Sequence, residues 1–307
     1  MISLTLNELV CQPIVGPTFN VYKYNNNLYK VVHFKRPRPL LAAPGEVDRS
    51  KKGNDRKLDS AVSRARKTVL ELALCNPWDW FCTFTLDKEK YNRYDLEKFH
   101  KDFTQWIRDR RKKTGAPIRF LLVPELHQDG AWHIHGLMHA VPDLVSFDYL
   151  RAELGWRVPG KLIGRDYFCW MGFHQKFGFC SLGAVRDPVA VSHYIAKYVT
   201  KSMEDSGVDV GKHLYFPSRG LNRSVLHSQL FEPSPELAAF CTQKYEFCST
   251  GFVDVADPDK WLDALEYVDG LRYVGKSFKL SENSEPELCP EFFVMQEGIQ
   301  DMLEGFA

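Results

Sequence analysis

The feature that most constrains the fold is a hairpin signal at residues 124–136, PELHQDGAWHIHG. The Gln-Asp-Gly segment at 128–130 suits a three-residue loop in which Gly130 adopts the left-handed conformation. Such a loop pairs Glu125 with His133 across two antiparallel strands. A two-residue Asp-Gly turn would shift this register and move Glu125 to the other face of the sheet.

The same register predicts a cluster of potential metal ligands. Side chains alternate across a strand, so His133 and His135 share one face, and Glu125 projects from that face opposite His133. Two imidazoles and a carboxylate with open coordination positions suit a divalent ion that also holds a substrate. The alternative is a pair of hydrogen-bonded, half-buried histidines. His139 lies too far along the strand to join them.

A second group of reactive side chains lies on a predicted helix at residues 193–201, HYIAKYVTK. Its spacing puts Tyr194 and Tyr198 one turn apart on one face, with Lys197 and Lys201 beside them. Neighbouring ammonium groups favour the phenolate, which is the nucleophilic form of tyrosine. The alternative is a structural helix whose tyrosines pack on a sheet while its lysines face solvent.

The middle of the chain alternates strand and helix patterns. We expect strands at 80–86, 118–126, 131–141 and 177–186, and helices at 94–113, 146–154 and 188–203. Because strands outnumber helices and one pair is a hairpin, we predict an α+β fold: a central antiparallel sheet with helices packed on it.

We divide the chain into an N-terminal extension (1–75), a core (76–205) and a C-terminal, mostly helical region (206–307). The extension contains a strand pattern at 27–34 and an amphipathic helix whose outer face is basic. The helix contains apolar residues at alternating four- and three-residue steps, namely Leu58, Val62, Ala65, Val69 and Leu72. In the C-terminal region we expect helices at 234–247 and 257–268.

Charge is distributed unevenly along the chain. The first 230 residues contain 35 Lys and Arg against 23 Asp and Glu, and the remainder contains 5 against 16. The basic part could face a polyanion or form a solvated surface. No apolar stretch suits a membrane span, the first residues lack a secretory signal, and the eight cysteines are scattered. We therefore expect a cytoplasmic protein with reduced thiols.

Together, the motifs resemble those of the HUH endonucleases, the rolling-circle replication initiators of phages and plasmids. The strand FCTFTL at 81–86 matches the first family motif, and His133-Ile134-His135 matches the second. Tyr194, Lys197 and Tyr198 match the third, a helix of the form YxxKY. The two-tyrosine form is most similar to the gene A and gene II replication proteins of single-stranded DNA phages. The resemblance covers residues 80–201 and implies a ferredoxin-like or RRM-like core.

The resemblance implies a specific reaction. Glu125, His133 and His135 would hold Mg²⁺ or Mn²⁺ at the scissile phosphate of single-stranded origin DNA. One tyrosine would form a 5′-phosphotyrosine and release a 3′-hydroxyl that primes synthesis, and the second would cut again after one round. Lys197 and Lys201 would stabilise phenolate or phosphate charge.

The resemblance also implies partners. Two basic segments are candidates for phosphate contacts. They consist of Arg108, Arg110, Arg111, Lys112 and Lys113 in one helix, and Arg64, Arg66 and Lys67 in another. Because no intact nucleotide-binding motif occurs, we expect dependence on a helicase and a polymerase of a bacterial host.

Three rival functions remain open. A relaxase or transposase of the same superfamily would use similar chemistry. A non-catalytic origin-binding protein would keep the fold alone. A metallohydrolase of small substrates would leave the tyrosine helix without a role.

Overall fold

The computed structural model describes residues 17–35, 54–127, 129–204, 214–230 and 234–255. Within these ranges the chain forms six α-helices and twelve β-strands. The helices are α1 Asn54–Leu74, α2 Leu96–Thr114, α3 Phe147–Ala152, α4 Met171–Lys176, α5 Pro188–Glu204 and α6 Pro235–Ala239. The strands are β1 Phe19–Lys23, β2 Leu28–Phe34, β3 Trp80–Leu86, β4 Arg119–Leu126, β5 Trp132–His139, β6 Leu144–Ser146, β7 Tyr167–Trp170, β8 Gly178–Ala184, β9 Phe216–Pro217, β10 Val225–Leu230, β11 Gln243–Lys244 and β12 Cys248–Asp254.

The larger sheet has seven strands in the order β6-β7-β8-β3-β5-β4-β9, and its pairs are antiparallel. β3 lies in the middle, between β8 and β5. Helices pack on both faces of this sheet, so the predicted α+β class is confirmed.

One face of the large sheet carries an aromatic core beneath α2 and α4. Helix α2 begins after Asp95, whose carboxylate accepts a hydrogen bond from the backbone N–H of Lys98, and it ends at Gly115, which has a φ of 71°. Phe84 of β3 stacks on Phe173 of α4, with ring centroids 4.2 Å apart. The buried residues of α2 are Leu96, Phe99, Phe103 and Ile107.

Truncating the centre of this core is expected to destabilise the protein strongly. Phe103 is fully buried and contacts the rings of Phe84 and Phe120. Phe103→Ala should lower the free energy of unfolding by about 3–5 kcal/mol, measured by urea denaturation. Tyr94→Ala is the matched control, because that ring is 57% exposed. A loss no larger than that of the control would contradict this packing.

The opposite face of the large sheet is covered by α1 and α5. Val69 and Leu72 of α1 pack with Ile195 and Val199 of α5 over Leu121 of β4. The helix that we assigned to the N-terminal extension therefore packs with the predicted core. The reason is its apolar stripe, which needs a partner surface that the extension alone does not supply.

A smaller five-stranded sheet, in the order β10-β1-β2-β12-β11, joins the two flanks of the chain. The described residues 17–35 and 223–255 form one compact unit, and residues 54–222 form another. The small unit has its own core, which includes Phe19, Val21, Tyr29, Val31, Leu237 and Val253. The three-region domain division stays a prediction.

The secondary-structure predictions differ from the structure mainly in the C-terminal flank. The helix expected over 234–247 is restricted to Pro235–Ala239, and strands β11 and β12 follow. Pairing of β12 with β2, which is distant in sequence, outweighs the local helical pattern. The helix expected at 257–268 lies outside the described residues. Among the helices that the structure describes, none has the length and hydrophobicity of a membrane span.

Candidate active site

The β4–β5 hairpin has the register predicted for a three-residue loop. Glu125 pairs with His133, and the backbone N–H of His127 donates to the carbonyl of Ala131 at 2.8 Å. Gly130 has a φ of 79°, the left-handed conformation that the loop requires. The alternative two-residue turn is thereby excluded.

Glu125, His133 and His135 lie on one face of the sheet, as predicted. Nε2 of His135 donates a hydrogen bond to Oε2 of Glu125 at 2.7 Å. Its Nδ1 lies 3.4 Å from Oγ1 of Thr83, the residue that pairs with His135 in β3. Burial, with smaller contributions from the neighbouring histidines, lowers the pKa of His133 to about 4. The His133 imidazole is therefore neutral at physiological pH.

Sequence reasoning missed a third histidine, His127, at this face. Its ring stacks on His133 with centroids 4.8 Å apart. Strand alternation from Glu125 would have placed it there, because positions 125 and 127 share a parity. In the described part of the chain, Nε2 of His127 and the hydroxyl of Thr85, opposite His133, are buried without a hydrogen-bond partner.

The fit of this face to a metal ion is partial. Across the described ranges, no three or more His, Cys, Asp or Glu side chains are grouped in an arrangement that could hold a metal ion. Glu125 is hydrogen-bonded to His135 instead. The donor types nevertheless suit a divalent ion, and the unpartnered atoms of His127 and Thr85 leave local polar capacity that such an ion would use. Binding would require the Glu125 carboxylate to exchange its hydrogen bond for the ion.

Helix α5 brings the two tyrosines onto this face. The ring of Tyr198 stacks on the imidazole of His135, with centroids 3.9 Å apart and planes 19° apart. Tyr194 packs on Phe81 of β3 at 5.3 Å. The two phenolic oxygens are 2.9 Å apart and share a hydrogen bond. The structure therefore brings together two motifs that are about sixty residues apart in the sequence.

Both phenols are buried, with 4% and 3% of Tyr194 and Tyr198 exposed. Burial raises the pKa of each hydroxyl above its ordinary value, and for Tyr198 the neighbouring phenol raises it further. Both tyrosines are therefore protonated at neutral pH. A nucleophilic role requires the attacking phenol to lose its proton during the reaction.

The structure does not place Lys197 beside the phenols. Its side chain is exposed, and its charge, with that of Arg66, lowers the pKa of His193 after the larger effect of burial. Lys201 lies in the last turns of α5, and its side chain is outside the described residues. Catalytic roles for the two lysines stay predictions.

The two predicted basic segments lie on opposite faces of the large sheet. Arg64, Arg66 and Lys67 are exposed on α1, which covers the same face as the tyrosine helix. The segment 108–113 ends α2, on the other face and next to the start of β4, whereas Glu125 is near its end.

Two arginines of the α2 segment make contacts within the fold. Arg110 forms an ion pair with Asp143 at 3.4 Å. The guanidinium of Arg111 donates to the carbonyl of Ile118, with Nε 2.7 Å from the oxygen. These contacts fasten the α2–β4 connection. The remaining members of the segment, Arg108, Lys112 and Lys113, are exposed.

Comparison with known proteins identifies one related family. Residues 79–203 match the family model of the replication-associated protein ORF2/gene II protein. No curated protein and no solved structure matches the chain. The matched segment, about two fifths of the chain, contains the hairpin and the tyrosine helix. This similarity supports a replication initiator family, and with it an interaction with DNA.

Proposed function

We propose that this protein nicks single-stranded origin DNA by tyrosine attack, as a two-tyrosine HUH-type replication initiator. One observation carries the proposal: Tyr198 stacks at 3.9 Å on His135, which is in turn hydrogen-bonded to Glu125. A phenol, an imidazole and a carboxylate thus meet on one sheet face, and the segment that contains them matches the replication-associated protein family.

Glu125, His133 and His135 are the residues that would hold Mg²⁺ or Mn²⁺. When bound, the ion would polarise the scissile phosphate and neutralise its charge. His133 supplies a neutral imidazole because burial lowers its pKa. For Nε2 of His135 to accept an ion, its proton must reside on Nδ1, where the hydroxyl of Thr83 is placed to accept a hydrogen bond.

The proposed cleavage exchanges one phosphodiester bond for another. The phenolic oxygen of Tyr198 bonds to phosphorus while the bond from phosphorus to the 3′ oxygen breaks. The phenol loses its proton and the departing 3′ oxygen gains one, so no net proton is consumed. Because one ester replaces another, the same site can rejoin the strand.

Tyr198 is assigned the first attack because its ring contacts His135, whereas Tyr194 packs on Phe81. The hydroxyl of Tyr194 is 2.9 Å from that of Tyr198 and can share its hydrogen bond as the proton leaves. Tyr194 would then make the second cut. The released 3′-hydroxyl would be extended by a host polymerase with a host helicase.

The test is a search for a covalent adduct. Purified full-length protein is incubated with single-stranded oligonucleotides tiled across its own replicon, with Mn²⁺ or with EDTA, and resolved on a denaturing gel. We expect an SDS-resistant, metal-dependent shift on one tile. DNA binding without an adduct on any tile would overturn the nickase and favour a non-catalytic origin-binding protein.

The Thr83–His135 contact predicts an effect on metal affinity at a residue that is not a proposed ligand. Thr83→Val keeps the shape but removes the acceptor for the Nδ1 proton, so the ligating tautomer of His135 loses its support. We expect Mn²⁺ affinity to fall by about tenfold or more in a calorimetric titration. Thr104→Val, in α2 beneath the opposite face, is the control and should bind Mn²⁺ like the wild type. Equal affinity of the Thr83→Val variant and the wild type would refute the tautomer assignment.

The position of the basic residues predicts which of them contact DNA at the active face. Replacing Arg66 and Lys67 with Ala should weaken single-strand binding and reduce the slope of log affinity against log salt by up to about 1.4, because two phosphate contacts are lost. The matched pair, Lys112 and Lys113, should leave that slope unchanged. The opposite ranking in fluorescence anisotropy titrations would assign the DNA path to α2.

A further inference from the structure

The small sheet has one covered face and one open face. Val21, Tyr29, Val31 and Val253 point to the covered side, are fully buried, and pack in one core with Leu237 of α6. Alternation along the strands sends their neighbours to the other side. An open face of an antiparallel sheet is ordinarily polar, and this one is not.

The register places four residues in one row across the open face. Tyr22 of β1 pairs with Leu226 of β10 on one side and with Lys30 of β2 on the other, and Lys30 pairs with Phe252 of β12. Leu226 is 44% exposed, and the other three side chains are half-buried. The row therefore reads apolar, aromatic, cationic, aromatic.

Further contacts hold this row in place. Nδ2 of Asn20 donates to the hydroxyl of Tyr22 at 3.1 Å, and Gln229 donates to Asn20 at 3.1 Å. Nζ of Lys30 lies 5.5 Å from the centroid of the Phe252 ring. Rings fixed by such contacts lose little side-chain entropy when a flat ligand stacks on them.

The small unit is also enriched in exposed apolar surface. Four of the eight large hydrophobic side chains exposed in the described residues belong to it, although it contains about a quarter of those residues. They are Val225, Leu226, Tyr245 and Phe247. Its N-terminal segment, 17–35, contains three lysines and no acidic residue. Aromatic surface combined with positive charge suits a flexible polyanion whose bases have exposed π-faces.

We propose that this open face binds single-stranded DNA, with bases stacked on Tyr22 and Phe252 and a phosphate near Lys30. The proposal takes its ligand from the proposed function and adds a second DNA contact, in a different unit from the tyrosine helix. Stacking on aromatic rings tolerates every base, so this face would hold DNA without reading its sequence. Base recognition would then belong to other surfaces.

The test measures affinity of the full-length protein for a labelled oligothymidylate, with EDTA present so that no cleavage occurs. Tyr22→Leu and Phe252→Leu keep apolar volume but remove the ring, and each should weaken binding by about five- to a hundredfold. Tyr22→Phe and Phe252→Tyr keep the ring and should bind within about twofold of the wild type. Tyr245→Leu, off the row and 49% exposed, is the surface control.

A second measurement addresses the charge. Lys30→Gln should reduce the slope of log affinity against log salt by about 0.7, the value for one phosphate contact on a single strand. Unchanged affinity in both Leu variants, with wild-type adduct formation intact, would overturn the stacking face and leave the nickase standing. Absence of both oligothymidylate binding and adduct in the wild type would overturn both proposals. Loss of affinity in the ring-retaining variants as well would assign the effect to disturbed folding and also overturn the stacking face.

Discussion

Replacing Tyr198 with Phe is expected to reduce covalent DNA adduct formation to below detection, while Tyr194→Phe retains it. The two tyrosines differ in their surroundings: the Tyr198 ring lies on His135, and the Tyr194 ring lies on Phe81. Losing the Tyr194 hydroxyl removes one hydrogen bond from Tyr198, which should slow the first cleavage by about tenfold or less. The double variant should form no adduct.

The ranking is measured by single-turnover adduct formation on the cleaved oligonucleotide. Tyr→Phe keeps the ring and therefore the packing of α5 on the sheet, so an unchanged melting temperature serves as the folding control. The ranking is contradicted if Tyr194→Phe is inactive and Tyr198→Phe is not. A double variant that still forms the adduct would show that the nucleophile lies elsewhere.

The second large effect is expected at His135. This imidazole contacts Glu125, Thr83 and Tyr198, so its removal disrupts the proposed ion site and the seat of the nucleophile together. His135→Ala should lower Mn²⁺ affinity by at least about a hundredfold, because loss of an outer partner alone costs ten- to a hundredfold. The loss of free Mn²⁺ signal in electron paramagnetic resonance measures binding directly, without reference to activity.

His139→Ala is the matched control for this prediction. It lies at the other end of β5, where its ring is 3.0 Å from Asp79, and it should bind Mn²⁺ like the wild type. If His135→Ala binds Mn²⁺ as well as His139→Ala does, the histidines of the hairpin are a structural pair. If neither the wild type nor any variant binds Mn²⁺, the ion is not part of this site.

Local signals in the sequence predicted the hairpin and the helices well. The left-handed Gly130 determines the register, and Asp95 and Gly115 determine the ends of α2. Each acts through bonds between residues that are close in the chain. The face shared by Glu125 and the two histidines followed from this register alone.

Contacts between distant segments were the ones that sequence reasoning could not supply. Phe19 pairs with Leu230 and β2 pairs with β12, so the small sheet depends on partners about two hundred residues apart. No local pattern identifies such a partner. The helix expected over 234–247 was too long for the same reason.

At the site itself, the missing information was burial. Helical spacing placed Tyr194 and Tyr198 on one face, but only the docking of α5 shows that both hydroxyls are buried and bonded to each other. The same docking leaves Lys197 exposed. A sequence gives the order of these side chains around the helix, whereas their pKa depends on what covers them.

The most direct test of the central claim is to determine which end of the cleaved strand becomes attached to the protein, and where. Full-length protein is incubated with Mn²⁺ and an origin oligonucleotide labelled at its 3′ end or its 5′ end, and the adduct is digested and mapped by mass spectrometry. The proposed mechanism predicts that only the 3′-labelled fragment is retained, through a 5′-phosphotyrosine at Tyr198. Retention of the 5′-labelled fragment, or an adduct at a residue other than the two tyrosines of α5, would contradict it.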